Sequence, residues 1–220
     1  MSESGSGGNA AKPRKHPRGG AERSAARRDA ILAAALDEFA AAGFAATRID
    51  DVARRAGVAK GTIYLYFRDK DALFHELVRS ALSPIIAVLE QPPPGEITLR
   101  GLLGVLTQTF VREIFGTRRK DVIRLVLSEG PRFPSVAEFY YREVVARAVP
   151  AVRELLRRAV GPGAGGEALV TYPQLIVAPA LVAVMWEALF DRFETLEVEG
   201  LMRAHCELLL RAVEVKGSGP

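Results

Sequence analysis

Along most of this chain apolar residues return every three to four positions, the spacing of one face of a helix turning at 3.6 residues. Leu32, Leu36 and Phe39 fall on one face with Ile31 and Ala35 beside them, and Gly43 follows as a stop, which predicts a first helix over 24–42. Thr47, Arg48, Ile49 and Asp50 then fit a capping box, in which the Thr47 hydroxyl accepts from a first-turn amide and Asp50 is favoured by the helix dipole. That box predicts a second helix over 48–56. Gly57 allows a turn that a residue without Cβ makes cheaply, Val58 packs into the angle, and a third short helix follows over 60–67. Two short helices joined by a glycine-containing turn form a helix-turn-helix.

Asp69 and Asp71 place carboxylates at the start of the next helix, whose Leu73, Phe74, Leu77 and Val78 recur at helical spacing towards Leu89, with a kink expected at Pro84. The run Pro92-Pro93-Pro94-Gly95 ends it. Further helices are expected over 97–115, 118–129, 135–160, 167–193 and 197–215, the third of these opened by a second capping box of Ser135 and Glu138. With no convincing strand pattern between them, the chain reads as all-α, about nine helices. Residues 168–186 carry no charge over a length that could cross a bilayer. They hold Thr171, Pro173, Gln174 and Pro179 and are closed by Glu187, so an interface helix is the better reading. Together with Leu201, Cys206, Leu208, Leu209 and Leu210 of the last helix, it suggests a four-helix dimer seam.

At 220 residues, 49% hydrophobic and 25% charged, the chain can bury a core without disulfides or a structural metal. A lone cysteine, Cys206, excludes an intrachain disulfide and a cysteine-cluster zinc site and points to a reducing compartment; a redox role for it competes with plain burial. No signal-peptide core stands near the N-terminus, so the expected location is cytoplasmic, with no membrane partner. Residues 1–68 carry twelve basic against seven acidic side chains, the remainder eighteen against nineteen, so the net charge of +4 sits in the N-terminal third and suggests a polyanionic partner there. Residues 1–23, rich in Gly, Ser and Pro with Lys12, Arg14, Lys15, Arg18 and Arg23, have the composition of a disordered basic arm. The expected division is therefore an arm over 1–23, a helix-turn-helix unit over 24–84, a larger helical domain over 85–215, and a tail over 216–220.

Catalytic chemistry finds little support. His16, His75 and His205 lack a metal-binding partner at helical spacing, and no nucleophile or base constellation is visible, so neither metal, cofactor nor enzyme activity is expected. The run 161–166 satisfies G-x-G-x-x-G, yet the pattern before it is helical where a dinucleotide fingerprint needs a strand, so it reads as a loop.

The third helix carries the binding chemistry. The major groove admits an α-helix, whose N-terminal residues reach base edges. Lys60, Gly61 and Thr62 stand there: a cation for guanine or phosphate, a close backbone approach, and a hydroxyl with a methyl. Tyr64 and Tyr66 can each donate to a phosphate, or lie partly buried under the first helix, while Ile63 and Phe67 belong to the core. Over 26–84 the sequence resembles the TetR family of bacterial transcriptional regulators. The likeness rests on Ala34-Ala35 and Phe39 before Gly43-Phe44, then Thr47, Val52-Ala53, Ala56-Gly57-Val58, Gly61-Thr62-Ile63-Tyr64, Tyr66-Phe67 and Lys70.

The resemblance implies a homodimeric all-helical repressor, its first three helices on double-stranded operator DNA and its larger C-terminal domain binding a small-molecule inducer. It implies DNA contacts, mostly to the backbone, for Thr47, Thr62, Tyr64, Tyr66 and Lys70. Two positions depart from the pattern: Ala59 stands where a capping Ser is usual, and Arg48, where a second Thr or Ser is common, adds a charge facing phosphate or base. A looser likeness to one group of the family runs through Arg124-Leu125, Ser128-Glu129, Arg132-Phe133-Pro134 and Glu138-Phe139. Phe110, Phe139, Tyr140, Tyr172 and Trp186, with Tyr141 and Phe190, could line an inducer cavity or serve core and dimer packing. The alternative function is a helical small-molecule-binding or catalytic protein whose helix-turn-helix is only a packing unit.

Overall fold

A computed structural model describes residues 18–91, 94–161 and 166–217. Helices α1 (Arg18–Ala46), α2 (Ile49–Ala56) and α3 (Lys60–Tyr64) form the N-terminal head, and α4 (Lys70–Leu89) leads out of it. The body comprises α5 (Leu99–Thr109), α6 (Arg119–Glu129), α7 (Pro134–Tyr140), α8 (Ala146–Val160), α9 (Glu167–Thr171), α10 (Gln174–Phe190) and α11 (Val198–Gly217). Phe110–Phe115 continues α5 and Tyr141–Val145 joins α7 to α8, both in π-helical geometry, and no strand occurs among the described residues.

Several boundaries differ from expectation. The first helix begins at Arg18, so residues 18–23 are helical; residues 1–17, with Lys12, Arg14 and Lys15 of the expected arm, lie outside the described residues. Gly43 does interrupt α1, at φ 77° and ψ 167°, a backbone region that side chains make costly, and a further turn runs on to Ala46. Neither capping box forms. Arg48 caps α2 without a side-chain bond, because the Thr47 hydroxyl turns back onto α1. Phe133 precedes α7, where Pro134 occupies the first helical position and needs no amide partner. Asp69, by contrast, accepts from the Ala72 amide at 2.7 Å.

The single helix expected over 167–193 is two. Pro173 disfavours a helical conformation at Tyr172, which sits at φ −120° and ψ 69°, and α10 starts afresh after it. Residues 162–165 of the glycine-rich run, Pro92 and Pro93 of the proline run, and 218–220 of the tail lie outside the described residues.

One core runs through the head and into the body. Ile31, Phe39, Val52, Ile63, Phe67 and Phe74 pack with Val122, Leu125, Val136 and Phe139. Phe44 ties the two ends, with ring centroids 5.4 Å from Phe74 and 5.3 Å from Phe133. Helix α4 is long and apolar enough to cross a membrane, but Leu73, Phe74, Leu77, Val78, Leu82 and Ile86 are buried in the protein, and the helix runs unbroken through Pro84. It is thus shared by the head and the body.

Candidate functional site

Helix α3 is held by its inner side. Ile63 is wholly buried and Phe67 nearly so, which turns Lys60, Gly61, Tyr64 and Leu65 towards solvent and leaves Thr62 half-buried at the rim. The turn before it is set by Gly57, at φ 66°, whose amide reaches back to the end of α2. Ala59 gives α3 no side-chain cap. Lys60 Nζ lies 2.9 Å from Asp50, and that hydrogen bond and opposite charge raise its pKa above the ordinary lysine value. The ammonium is thus stored on an exposed carboxylate that a stronger anion can displace. Arg48 is exposed at the start of α2.

Two residues expected at a nucleic-acid surface face elsewhere. Thr47 is only 3% exposed, and its hydroxyl donates to the Gly43 and Glu38 carbonyls at 2.7 and 3.1 Å. Lys70 Nζ donates to the carbonyls of Phe44, Ala45 and Thr47 at 2.6, 2.9 and 3.2 Å and lies over the Phe44 ring. Carbonyls left outside regular helix bonding attract donors, and these two side chains supply them. Both therefore position the turn between α1 and α2. Tyr66 is intermediate: its ring packs on the core while its hydroxyl shares a 3.0 Å hydrogen bond with Ser24 of α1.

Leu65 was overlooked. It is 83% exposed at the end of α3, two residues from both Ile63 and Phe67 and so off their buried stripe. That offset was readable from the sequence.

Charged pairs join the head to the body. Asp37 of α1 meets Arg118, just before α6, at 2.6 Å and Arg55 of α2 at 3.8 Å, while Arg55 also holds Glu38 at 2.6 Å. From the other side Arg119 donates to the Ala81 carbonyl of α4 at 2.8 Å.

The body contains a cavity of about 150 Å³ among α4, α5, α8, α10 and α11. Leu103, Leu106, Phe110, Val152, Ile176 and Leu209 typify its wall, and its polar side chains are Thr107, Thr109, His205 and Cys206. Of the five aromatic residues expected there, only Phe110 takes part. Phe139 stacks on His75 at 3.6 Å within the head-facing core, and Tyr140 packs against the same core, where burial raises its hydroxyl pKa. Tyr172 is exposed, and the Trp186 indole donates to the Glu194 carbonyl at 2.8 Å. The sequence offered no cue to the lining of this cavity, which comes from helices distant in the chain.

Helix α10 leaves Leu175, Leu181, Val182, Met185, Leu189 and Phe190 exposed on its outer side, with Leu208 of α11 also exposed. An apolar surface of this extent is unusual on a lone protomer.

The profile of the tetR family of bacterial regulatory proteins matches residues 31–77, and that of the AefR-like transcriptional repressor C-terminal domain matches 101–164. The HTH-type transcriptional regulator RutR of Escherichia coli K12 is 31% identical over 130 residues, covering 59% of this chain and 53% of RutR. The chain thus spans about half the length of that curated relative. Among solved structures, SmeT in complex with triclosan aligns with a TM-score of 0.72 at 20% identity, over 89% of this chain and 95% of SmeT. FadR of Bacillus subtilis in complex with stearoyl-CoA aligns at 0.63 and 20% identity, over 84% and 98% of the two chains. These two establish a shared fold.

Proposed function

The chain belongs to the TetR family of bacterial transcriptional regulators, and on that premise we propose that it is a homodimeric repressor that binds operator DNA and is released by a small molecule. One observation carries the reading: α3 is anchored by Ile63 and Phe67 and presents Lys60, Gly61 and Tyr64 on its open side. A short helix so mounted enters a major groove N-terminus first, with Lys60 and Thr62 at base edges and Tyr64 and Arg48 at phosphates. Lys60 exchanges its Asp50 carboxylate for the DNA. A DNA partner supports a cytoplasmic location.

The apolar α10 face supports pairing of two copies, since α10 and α11 of each protomer would close into a four-helix seam and cover it. Ligand release needs a route from the cavity to the head. Phe110 and Ile114 line the cavity from the π-helical segment that leads through Gly116 to α6, and Arg118 at that junction holds Asp37 of α1. A ligand that fits one arrangement of this segment better than the other shifts the spacing of the paired heads. The ligands named with FadR and SmeT support a ligand-responsive reading.

Selection of bound duplexes from a random pool tests the proposal. It should enrich two-fold symmetric sites whose halves lie about 35 Å apart or a multiple of it. A pool without enrichment would reject it. Removal of residues 1–17 should flatten the dependence of dimer affinity on salt by up to about five units, given three basic side chains in each of the two copies.

A further inference from the structure

The effector cavity has a chemistry that narrows its ligand, and the narrowing rests on reading it as the inducer site. Its wall is built from Leu, Ile, Val, Ala, Phe and Met side chains, and no Asp, Glu, Lys or Arg lines it among the described residues. An ionised carboxylate or phosphate placed there would lose its hydration without a countercharge, a loss too large for a small ligand to recover. Size sets a second limit. An apolar cavity of about 150 Å³ accommodates one benzene-sized ring.

Two of the polar groups meet. Thr107 of α5 and Cys206 of α11 face each other, Oγ1 to Sγ, at 3.2 Å, and His205 adjoins Cys206 in sequence. His205 Nε2 lies 2.8 Å from the Leu175 carbonyl, which only accepts, so Nε2 carries the proton and a neutral ring keeps Nδ1 as an acceptor. The Thr107 hydroxyl makes no hydrogen bond besides the one with Cys206 among the described residues, and a thiol is a weak partner. The cavity is therefore lined by hydrocarbon apart from Thr109, His205 and the Thr107–Cys206 pair, in which the Thr107 hydroxyl has only a weak partner.

We propose that this cavity binds an uncharged single-ring molecule carrying one hydroxyl, a simple phenol, with the ring among Leu103, Phe110, Val152 and Ile176 and the hydroxyl at Thr107. A neutral phenol both donates and accepts, which satisfies Thr107 and leaves no buried charge. Because Phe110 belongs to both the cavity wall and the π-helical segment, filling the cavity bears directly on the segment that leads to α6.

The test uses the full chain with 4-methylphenol, toluene and 4-methylbenzoate, which share a ring and differ at one substituent, and with stearate as a long-chain probe. Binding is read without DNA, by the heat-unfolding midpoint and by the rate at which iodoacetamide alkylates Cys206, the chain's single cysteine. At 100 times its Kd, 4-methylphenol should raise the midpoint by about 5–11 °C and slow alkylation at least fivefold; 4-methylbenzoate and stearate should do neither. Thr107→Val should weaken 4-methylphenol by about 3- to 10-fold while leaving toluene within twofold. Ala180→Leu, which fills the cavity, should abolish both; should that variant fail to fold, Thr107→Val alone decides.

Preference for the benzoate or stearate, or equal 4-methylphenol affinity in wild type and Thr107→Val, would overturn the assignment. The two readings fail separately. Selective DNA binding without any phenol binding overturns this inference alone; phenol binding without DNA selectivity overturns the repressor reading and leaves the cavity chemistry standing.

Discussion

Replacing Lys70 by Met keeps a stem of similar length and removes only the ammonium, which makes it a direct probe of the turn between α1 and α2. Three carbonyl oxygens lie within 3.2 Å of Nζ, and the Phe44 ring centroid is 4.8 Å away. A hydrogen bond to a charged group contributes about 1.5–3 kcal/mol, but these three share one ammonium, so their sum is not additive. Partial solvent access screens the charge further. We therefore expect the whole cluster to be worth about 2 kcal/mol, chiefly from part-buried carbonyls left without a donor. In a chain of 220 residues that lowers the heat-unfolding midpoint by about 4–8 °C, and urea unfolding should show the same loss at an unchanged slope. Operator affinity measured well below that midpoint should fall because α2 and α3 are less firmly placed, while its salt dependence keeps its slope. Unchanged stability together with a salt slope smaller by about two units, one for each protomer, would refute the reasoning and make Lys70 a phosphate ligand.

Four further outcomes follow from particular contacts. Gly43→Ala should cost about 2 kcal/mol in urea unfolding, since its backbone conformation is one a side chain strains to adopt and an added Cβ would stand 3.0 Å from the Glu129 carboxylate; an unchanged midpoint would contradict this. Burial, with Arg79 and Arg142 opposing the pull of Asp71, holds the His75 pKa below its ordinary 6.5, so the folded state resists a proton that the unfolded chain accepts. Stability should be complete above about pH 6.5 and fall as the pH drops through the folded-state pKa, and His75→Phe should show a flatter profile over that window. Tyr64→Phe should weaken every operator sequence alike by about 3- to 10-fold, read by titration of labelled duplexes, without moving the unfolding midpoint; a shift in preferred sequence would instead place Tyr64 at a base. Met185→Glu, on the exposed face of α10, should sediment as a monomer and lose operator affinity; a variant that stays dimeric would remove α10 from the seam.

Helical periodicity and breaker residues were enough to read an all-α chain with a helix-turn-helix near its start, because both signals are local: Ile63 and Phe67 declare a buried stripe, and Gly57 and Gly43 require positive φ. Side-chain direction was another matter. Thr47 and Lys70 have the residue types of DNA ligands, yet which way each turns depends on carbonyls freed by the Gly43 break, and those become neighbours only when α1, α2 and α4 pack. The cavity lay further still from what local pattern can reveal. Its wall draws on five helices spread from Ile85 to Leu209, and aromatic residues such as Phe139 and Trp186 were spent on core and capping contacts instead. Periodicity tells a residue whether it faces inward; which other inward residues it meets, and whether they leave a gap between them, is settled by the long-range packing of helices that no local spacing encodes.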